Sequence, residues 1–290
     1  YTSPTIGGFE CPDIYQIKAD DGSWHWVLGA SMQGDYSGQP DTYAYWTGSW
    51  SGTTFTPDQS APQWLDSGFD WYAAVTWPDA TTPDTKRYGV AWMNNWNYAP
   101  HPIKTDITDA YNGQMSIVRQ INLKSEGSGV YSLISQPVDS LDNLTAREWH
   151  PADVTVSSTD PLDYHGTAYE LNADVSWSTA TNVGIGVGES FDADHHTNIG
   201  YYGGNVYVDR SASDYTAHAF GTFKQSQVSI GSATSMHLRI LVDRSSVEVF
   251  VNDGRYALSN QVMFSPNDNG ITLYSSGGSA TFSNIDIKEM

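Results

Sequence analysis

Alternating apolar and polar positions, interrupted at regular intervals by turn residues, run through the whole chain. Short stretches rich in Val, Ile, Thr, Tyr and Trp are separated about every ten residues by clusters of Gly, Pro, Asn and Asp. No long helical periodicity competes with them, and only the segment from Pro137 to Trp149 favours a short helix or a linker. The pattern predicts an all-β protein whose clearest strands are Trp24–Leu28, Thr42–Trp46, Tyr88–Met93, Val183–Val187, Leu238–Val242, Val247–Val251 and Ile271–Tyr274.

One hairpin is marked by its turn residues. Asn252, Asp253 and Gly254 lie between two strand-like runs. Asn, Asp and Gly tolerate the positive φ angles that tight hairpin turns require. We therefore predict a β-hairpin at this point.

The distribution of tryptophan divides the chain into two regions. Nine of the eleven tryptophans precede residue 100, at positions 24, 26, 46, 50, 64, 71, 77, 92 and 96. Strands in this first region have the spacing of propeller blades, but about 135 residues make fewer than three four-stranded blades. The later strands are shorter and alternate, which favours a β-sandwich. We predict an incomplete propeller over residues 1–135 and a linker with a β-sandwich over residues 136–290.

Charge and composition exclude several classes of partner. Acidic residues outnumber basic ones 33 to 13, and the formal net charge of −20 argues against nucleic acid and membrane surfaces as partners. The single cysteine, Cys11, excludes an internal disulfide and a cysteine-based zinc site. The 11 Trp and 18 Tyr residues, among many Ser, Thr, Asn and Gly, favour polar ligands with ring faces, such as sugars.

Three clusters carry candidate chemistry. Glu10 lies between a Gly pair and Pro12 in an aromatic setting, where a carboxyl group could act as a general acid or simply belong to a turn. Asp70 precedes Trp71, Tyr72 and Ala73, a group that packing alone could also explain. The segment from Trp92 to Ala99 alternates Asn amides with aromatic rings, which suits sugar hydroxyls and sugar faces or, alternatively, a packed strand.

Other polar features favour structural roles. Gly184, Gly186 and Gly188 lie between strands, so they do not form a phosphate loop. Asp192, Asp194, His195 and His196 fit a polar loop better than a metal site. Asp243 and Glu248 are interpreted as surface or capping residues. We expect no metal and no cofactor.

Taken together, the motifs resemble glycoside hydrolase family 32, the β-fructosidases that include invertases, inulinases and levanases. Phe9 to Pro12 is similar to the family's glutamate-cysteine-proline motif, and Tyr45 to Gly48 resembles its next blade strand. Leu65-Asp66 with Asp70 to Ala73, and Trp92 to Ala99, resemble the motifs that follow, and Leu238 to Gly254 resembles the signature of the C-terminal sandwich. The likeness covers nearly the whole chain.

The resemblance implies part of a five-bladed β-propeller followed by a C-terminal β-sandwich. It also implies cleavage of terminal β-fructofuranosyl linkages in fructans or sucrose, with retention and without a metal. By position, Glu10 would be the catalytic general acid and base. Trp96 would form part of the fructose pocket, and Asp70, Tyr72, Asn95 and Tyr98 would bind substrate near it.

The sequence departs from the family in one important respect. The nucleophile motif, asparagine-aspartate-proline, and the arginine-aspartate-proline motif are both absent. The chain is therefore expected to begin in the fourth blade, to lack the nucleophile, and to need a complementary N-terminal chain or self-association. A fructosyltransferase of the same family and a non-catalytic carbohydrate-binding fragment remain alternatives. Low Lys content and a polymeric substrate suggest an extracellular, secreted bacterial protein.

Overall fold

The computed structural model describes residues 7–35, 38, 40–99, 113–213 and 221–290. Within these ranges the chain forms four sheets of antiparallel strands and a 3₁₀ helix at Asp139–Leu144. The expected all-β fold is confirmed, and the segment expected to be a short helix or linker contains this 3₁₀ helix.

The first sheet is blade-like, with the strand order β1-β2-β3-β4 and with β5 paired to β3. Its register is shifted between Glu10 and Asp13, where Cys11 adopts a φ of 49°. Such a bulge turns a side chain at the end of a strand away from the regular alternation. The bulge therefore helps to set the direction of Glu10. The strands are β1 (Phe9–Lys18), β2 (Trp24–Met32), β3 (Tyr43–Trp50), β4 (Phe55–Pro57) and β5 (Gln63–Trp64).

The second sheet is a four-stranded blade with the order β6-β7-β8-β9. Like the first blade, it has a register shift near the start of its first strand. The shift follows Tyr72, and Ala73 has a φ of 51°. Buried residues from both blades, among them Ile17, Trp71 and Ile121, form one hydrophobic cluster. The strands are β6 (Tyr72–Pro78), β7 (Arg87–Trp92), β8 (Arg119–Gly127) and β9 (Val130–Pro137).

The remaining two sheets pack as a sandwich. One has the order β10-β22-β13-β18-β19-β20, with β11 paired to β22, and the other has the order β12-β21-β14-β15-β16-β17. Their apolar faces share one buried cluster. The strands are β10 (Arg147–Trp149), β11 (Val154–Val156), β12 (Thr159–Pro161), β13 (Tyr169–Trp177), β14 (Asn182–Glu189), β15 (Thr197–Tyr202), β16 (Asn205–Asp209), β17 (Gln225–Ser229), β18 (Ser235–Asp243), β19 (Ser246–Val251), β20 (Tyr256–Gln261), β21 (Gly270–Ser276) and β22 (Ala280–Glu289).

The predicted hairpin is confirmed in the first of these sheets. Strands β19 and β20 pair from Ser246 to Gln261, and Val251 lies opposite Tyr256. Asn252, Asp253 and Gly254 in the turn have φ angles of 50°, 58° and 77°. The turn residues therefore adopt the positive φ angles that their residue types predict.

A buried arginine joins both blades to the sandwich. Arg119 on β8 donates to Asp66 Oδ2 at 2.8 Å and to Glu248 Oε2 at 2.7 Å, and all three side chains are at most 4% exposed. Glu248 also accepts the Ile117 backbone N–H at 2.8 Å. The interpretation of Glu248 as a surface or capping residue is therefore wrong, because the blade covers the strand that carries it.

Candidate active site

Glu10 and Tyr72 meet where the first strands of the two blades begin. The Tyr72 hydroxyl donates a hydrogen bond to Glu10 Oε2. Glu10 is exposed, whereas the Tyr72 side chain is buried. Burial, together with the hydrogen bond to the neighbouring carboxylate, raises the pKa of Tyr72 far above its usual value. The phenol therefore stays protonated and remains a donor to a carboxyl group that solvent can reach.

An aromatic wall continues from Tyr72. The Trp92 ring packs edge-on against Tyr72 with centroids 6.4 Å apart, and Trp96 lies 5.2 Å from Trp92. Trp96 is 53% exposed, so much of its ring surface is free to contact a ligand. Indole faces of this kind stack on the apolar face of a ring-shaped ligand.

The Asn residues around Trp96 shape the segment that carries it. Asn95 is buried and donates through Nδ2 to the Phe69 carbonyl at 3.1 Å. Its Oδ1 accepts from the Asn97 backbone N–H and from Asn97 Nδ2, both at 2.9 Å. These hydrogen bonds of Asn95 hold the turn, and its expected contact with substrate stays a prediction.

Asp41, which the sequence analysis did not select, belongs to the same group. Its Oδ2 accepts from Asn97 Nδ2 at 2.9 Å and its Oδ1 accepts from the Asp35 backbone N–H at 3.0 Å. Burial raises the pKa of Asp41 to about 6. The residue lies outside every motif quoted above, and the only local signal was an acidic residue directly before the strand-like run Thr42–Trp46.

Asp70 and Tyr98 lie in the interior, which differs from their expected place in the fructose pocket. Asp70 is 0% and Tyr98 is 2% exposed. Asp70 Oδ2 pairs with Arg210 Nη1 of the sandwich at 2.7 Å and accepts the Gln261 backbone N–H at 2.8 Å. Tyr98 donates its hydroxyl hydrogen to Asp70 Oδ1 and accepts from Arg210 Nη2 at 3.0 Å. Residues of the sandwich cover both side chains, and their expected contact with substrate stays a prediction.

The arrangement combines a proton donor or acceptor with an aromatic surface. Glu10 can exchange a proton with a bound molecule, while Trp96 offers a ring to it. In the described part of the chain, no three His, Cys, Asp or Glu residues are grouped so as to hold a metal ion. None of the helical segments described is long and apolar enough to cross a membrane.

Comparison with known protein families gives matches along almost the whole chain. Residues 2–137 match the N-terminal domain of glycosyl hydrolases family 32, and residues 138–289 match the C-terminal domain of the same family.

Two levanases are similar to this chain. A levanbiose-producing levanase of Bacillus subtilis (strain 168) is 44% identical over 287 residues, which are 97% of this chain and 55% of that relative. One from Geobacillus stearothermophilus is 45% identical over 212 residues, which are 72% of this chain and 53% of that relative. The chain thus spans about half the length of these curated relatives.

A solved structure supports the fold. The exo-inulinase of Aspergillus awamori superimposes with a TM-score of 0.82 at 25% identity, and the match covers 100% of this chain and 59% of that one. The expected fold class, part of a β-propeller followed by a β-sandwich, is confirmed. From the matches of both domain models and of the levanases, we conclude that the chain belongs to glycoside hydrolase family 32.

Proposed function

We propose that these 290 residues belong to a retaining glycosidase that cleaves β-fructofuranosyl linkages in fructans, with Glu10 as general acid and base. The observation that carries the proposal is the exposed Glu10 carboxyl group, which accepts a hydrogen bond from Tyr72 and adjoins the wall formed by Trp92 and Trp96. Levan is the proposed substrate, because a relative named as a levanbiose-producing levanase is 44% identical.

The proposed reaction has two steps. Glu10 first donates its proton to the glycosidic oxygen while a carboxylate nucleophile attacks the anomeric carbon, so that the leaving sugar departs and a fructosyl–enzyme ester forms. Glu10, now a carboxylate, then removes a proton from water, which attacks the same carbon and releases the sugar. Trp96 supports the fructosyl ring, and Tyr72 orients the Glu10 carboxyl group.

The nucleophile must lie about 5 Å from Glu10 in a retaining enzyme. Asp41 is a poor candidate, because it is only 5% exposed and both of its oxygens already accept hydrogen bonds. The asparagine-aspartate-proline motif is missing from the 290 residues. We therefore propose that a complementary N-terminal portion, or another chain, supplies the nucleophile.

Levan hydrolysis by the full-length protein that contains these residues tests the proposal. Glu10→Gln should lower kcat by about 10²- to 10⁴-fold, the usual contribution of a general acid or base. Glu148→Gln, which changes an exposed glutamate of the sandwich, should leave kcat unchanged. With an activated fructoside, whose leaving group departs without protonation, azide should restore turnover to Glu10→Gln with a β-configured fructosyl azide as product, because azide attacks the ester without a general base. Unchanged kcat in Glu10→Gln, or an inverted product, would overturn the assignment.

The product pattern separates the remaining possibilities. Release of fructose indicates attack at chain ends, and release of levanbiose indicates cleavage two units at a time. Longer fructosyl products formed at high sugar concentration would indicate a fructosyltransferase, and binding without any product would indicate a carbohydrate-binding fragment.

An extracellular location is part of the proposal. Levan is a polymer, and a relative in Aspergillus niger is named an extracellular exo-inulinase. Fractionation of the producing cells tests this point, since the protein should be found in the culture medium.

A further inference from the structure

A cavity on the sandwich lies apart from Glu10 and shares no residue with the candidate active site. Its volume is about 460 Å³, and it is bordered by the start of β12, the loop after β14 and the start of β21. Cavities that bind small molecules commonly have volumes of about 300–1,000 Å³. The cavity is therefore large enough for a ligand of the size of one or two sugar rings.

The lining combines apolar and hydrogen-bonding groups. Pro161, Leu162 and Ile271 provide apolar surface, and the Phe191 ring stands at the rim, fully exposed. Side chains of Glu189, His165 and Asn269 add donors and acceptors. An aromatic ring beside a few polar side chains suits a ligand with an apolar CH face and several hydroxyl groups.

The rim that carries Phe191 is held by its own hydrogen bonds. The Ser190 hydroxyl donates to Asp192 Oδ1 at 2.7 Å and accepts from the His195 backbone N–H at 3.0 Å. His195 Nδ1 lies 3.3 Å from Asp268 Oδ2, and Asp268 is buried. A rim that is already ordered loses less conformational entropy when it binds a ligand.

Backbone hydrogen bonds join the walls of the cavity. The Asn269 backbone N–H donates to the Glu189 carbonyl at 3.1 Å, and the Leu162 N–H donates to the Ile271 carbonyl at 2.9 Å. Glu189, Asp192 and Asp194 place negative charge beside the cavity, in a chain whose formal net charge is −20. An anionic ligand would be repelled, so the chemistry favours a neutral one.

We propose that this cavity is a second carbohydrate site, which holds a neutral fructan chain on the sandwich without cleaving it. Phe191 stacks on a sugar ring. His165 Nδ1 lies 3.2 Å from Asn269 Oδ1, so these two side chains bind the hydroxyl groups of the sugar through His165 Nε2 and Asn269 Nδ2. The choice of fructan as the ligand rests on the proposed function. The existence of the site rests only on the geometry of the sandwich.

Binding of levan to the 290-residue chain tests the site, measured by retardation in native gels that contain levan and by calorimetry with levan oligosaccharides. Phe191→Ala should weaken binding about tenfold, a loss that corresponds to 1.4 kcal/mol. Phe191→Trp should retain binding, because it keeps a ring at the rim. Tyr202 is 61% exposed and pairs with Asn182 at the start of β14, whereas the cavity lies at the other end of β14. Tyr202→Ala is therefore the matched control and should bind levan as the parent does.

A further variant separates this site from the candidate active site. In Trp96→Ala, levan binding that still depends on Phe191 supports the proposal. Binding that disappears in Trp96→Ala and is unchanged in Phe191→Ala overturns it, as does failure of the parent chain to bind levan. Catalysis does not enter this assay, so loss of the proposed function and loss of the sandwich site give different results.

Discussion

Removal of the Arg210 side chain should detach the blades from the sandwich before the sandwich unfolds. Arg210 is 0% exposed and donates to Asp70 Oδ2 and to the Gln261 carbonyl, both at 2.7 Å. It also donates to the Phe223 carbonyl at 2.9 Å. In Arg210→Met the Asp70 carboxylate stays in the interior without its cation, although Tyr98 and the Gln261 backbone N–H still donate to it.

The expected cost can be worked from this geometry. Loss of one partner of a buried ion pair costs about 3–5 kcal/mol, because the other charge remains buried without compensation. Asp70→Asn should cost a similar amount, because the Arg210 guanidinium then stays buried without its counter-charge. In the double variant neither charge is stranded, so its loss should be smaller than the sum of the single losses by about 2 kcal/mol.

A surface pair provides the control for burial. Lys288 Nζ lies 2.8 Å from Asp142 Oδ1, nearly the same separation, but the Asp142 side chain is 56% exposed. Lys288→Met should therefore cost less than about 1 kcal/mol.

Urea unfolding followed by two probes measures these changes. Tryptophan fluorescence reports mainly on the blades, which carry nine of the eleven tryptophans within the first 100 residues. Circular dichroism reports on strands in both regions. In Arg210→Met the fluorescence transition should move to lower urea and precede the circular dichroism transition. Additive single losses, or equal costs for Arg210→Met and Lys288→Met, would refute the reasoning.

Three further predictions follow from the site and the fold. Tyr72→Phe removes the hydrogen bond to Glu10 and should lower kcat/KM on levan about tenfold, whereas Tyr88→Phe, which loses a bond to Asp79, should not change kcat/KM. Because the pKa of Asp41 is raised to about 6 from 3.8, the folded state binds this proton more tightly, and its contribution to stability is present at low pH and lost as pH rises from about 4 to 6. Asp41→Asn should reduce this loss in the free energy of unfolding by at most about 3 kcal/mol, measured by urea unfolding at several pH values. The same pH dependence in Asp41→Asn and in the parent would contradict the prediction. Gly254→Ala should destabilise the chain by about 2 kcal/mol in thermal unfolding, because the added Cβ would overlap the Ser135 carbonyl oxygen. Gly129→Ala, with the same φ of +77° and open space, should cost less, and equal costs would exclude the overlap as the cause.

Strand positions and the hairpin could be read from the sequence because they depend on neighbouring residues. The run Val247–Val251 followed by Asn252, Asp253 and Gly254 specifies both a strand and the turn that ends it. The family motifs were recognisable for the same reason, since each is a short contiguous segment. What this hairpin packs against could not be read locally, because the Gly254 carbonyl in its turn accepts a hydrogen bond at 3.0 Å from the backbone N–H of Ser135, well over a hundred residues earlier in the chain.

The sequence by itself determined the all-β fold, the family and the choice of Glu10 as the candidate acid, because these depend on local patterns. Only the tertiary structure decided which polar side chains face solvent. Asp70 stands beside Tyr72 in one motif, yet Tyr72 meets Glu10 while Asp70 meets Arg210, which is 140 residues away. A charged residue can be buried only where a distant part of the chain brings its counter-charge, so burial of this kind is decided by long-range contacts and not by neighbours in the sequence.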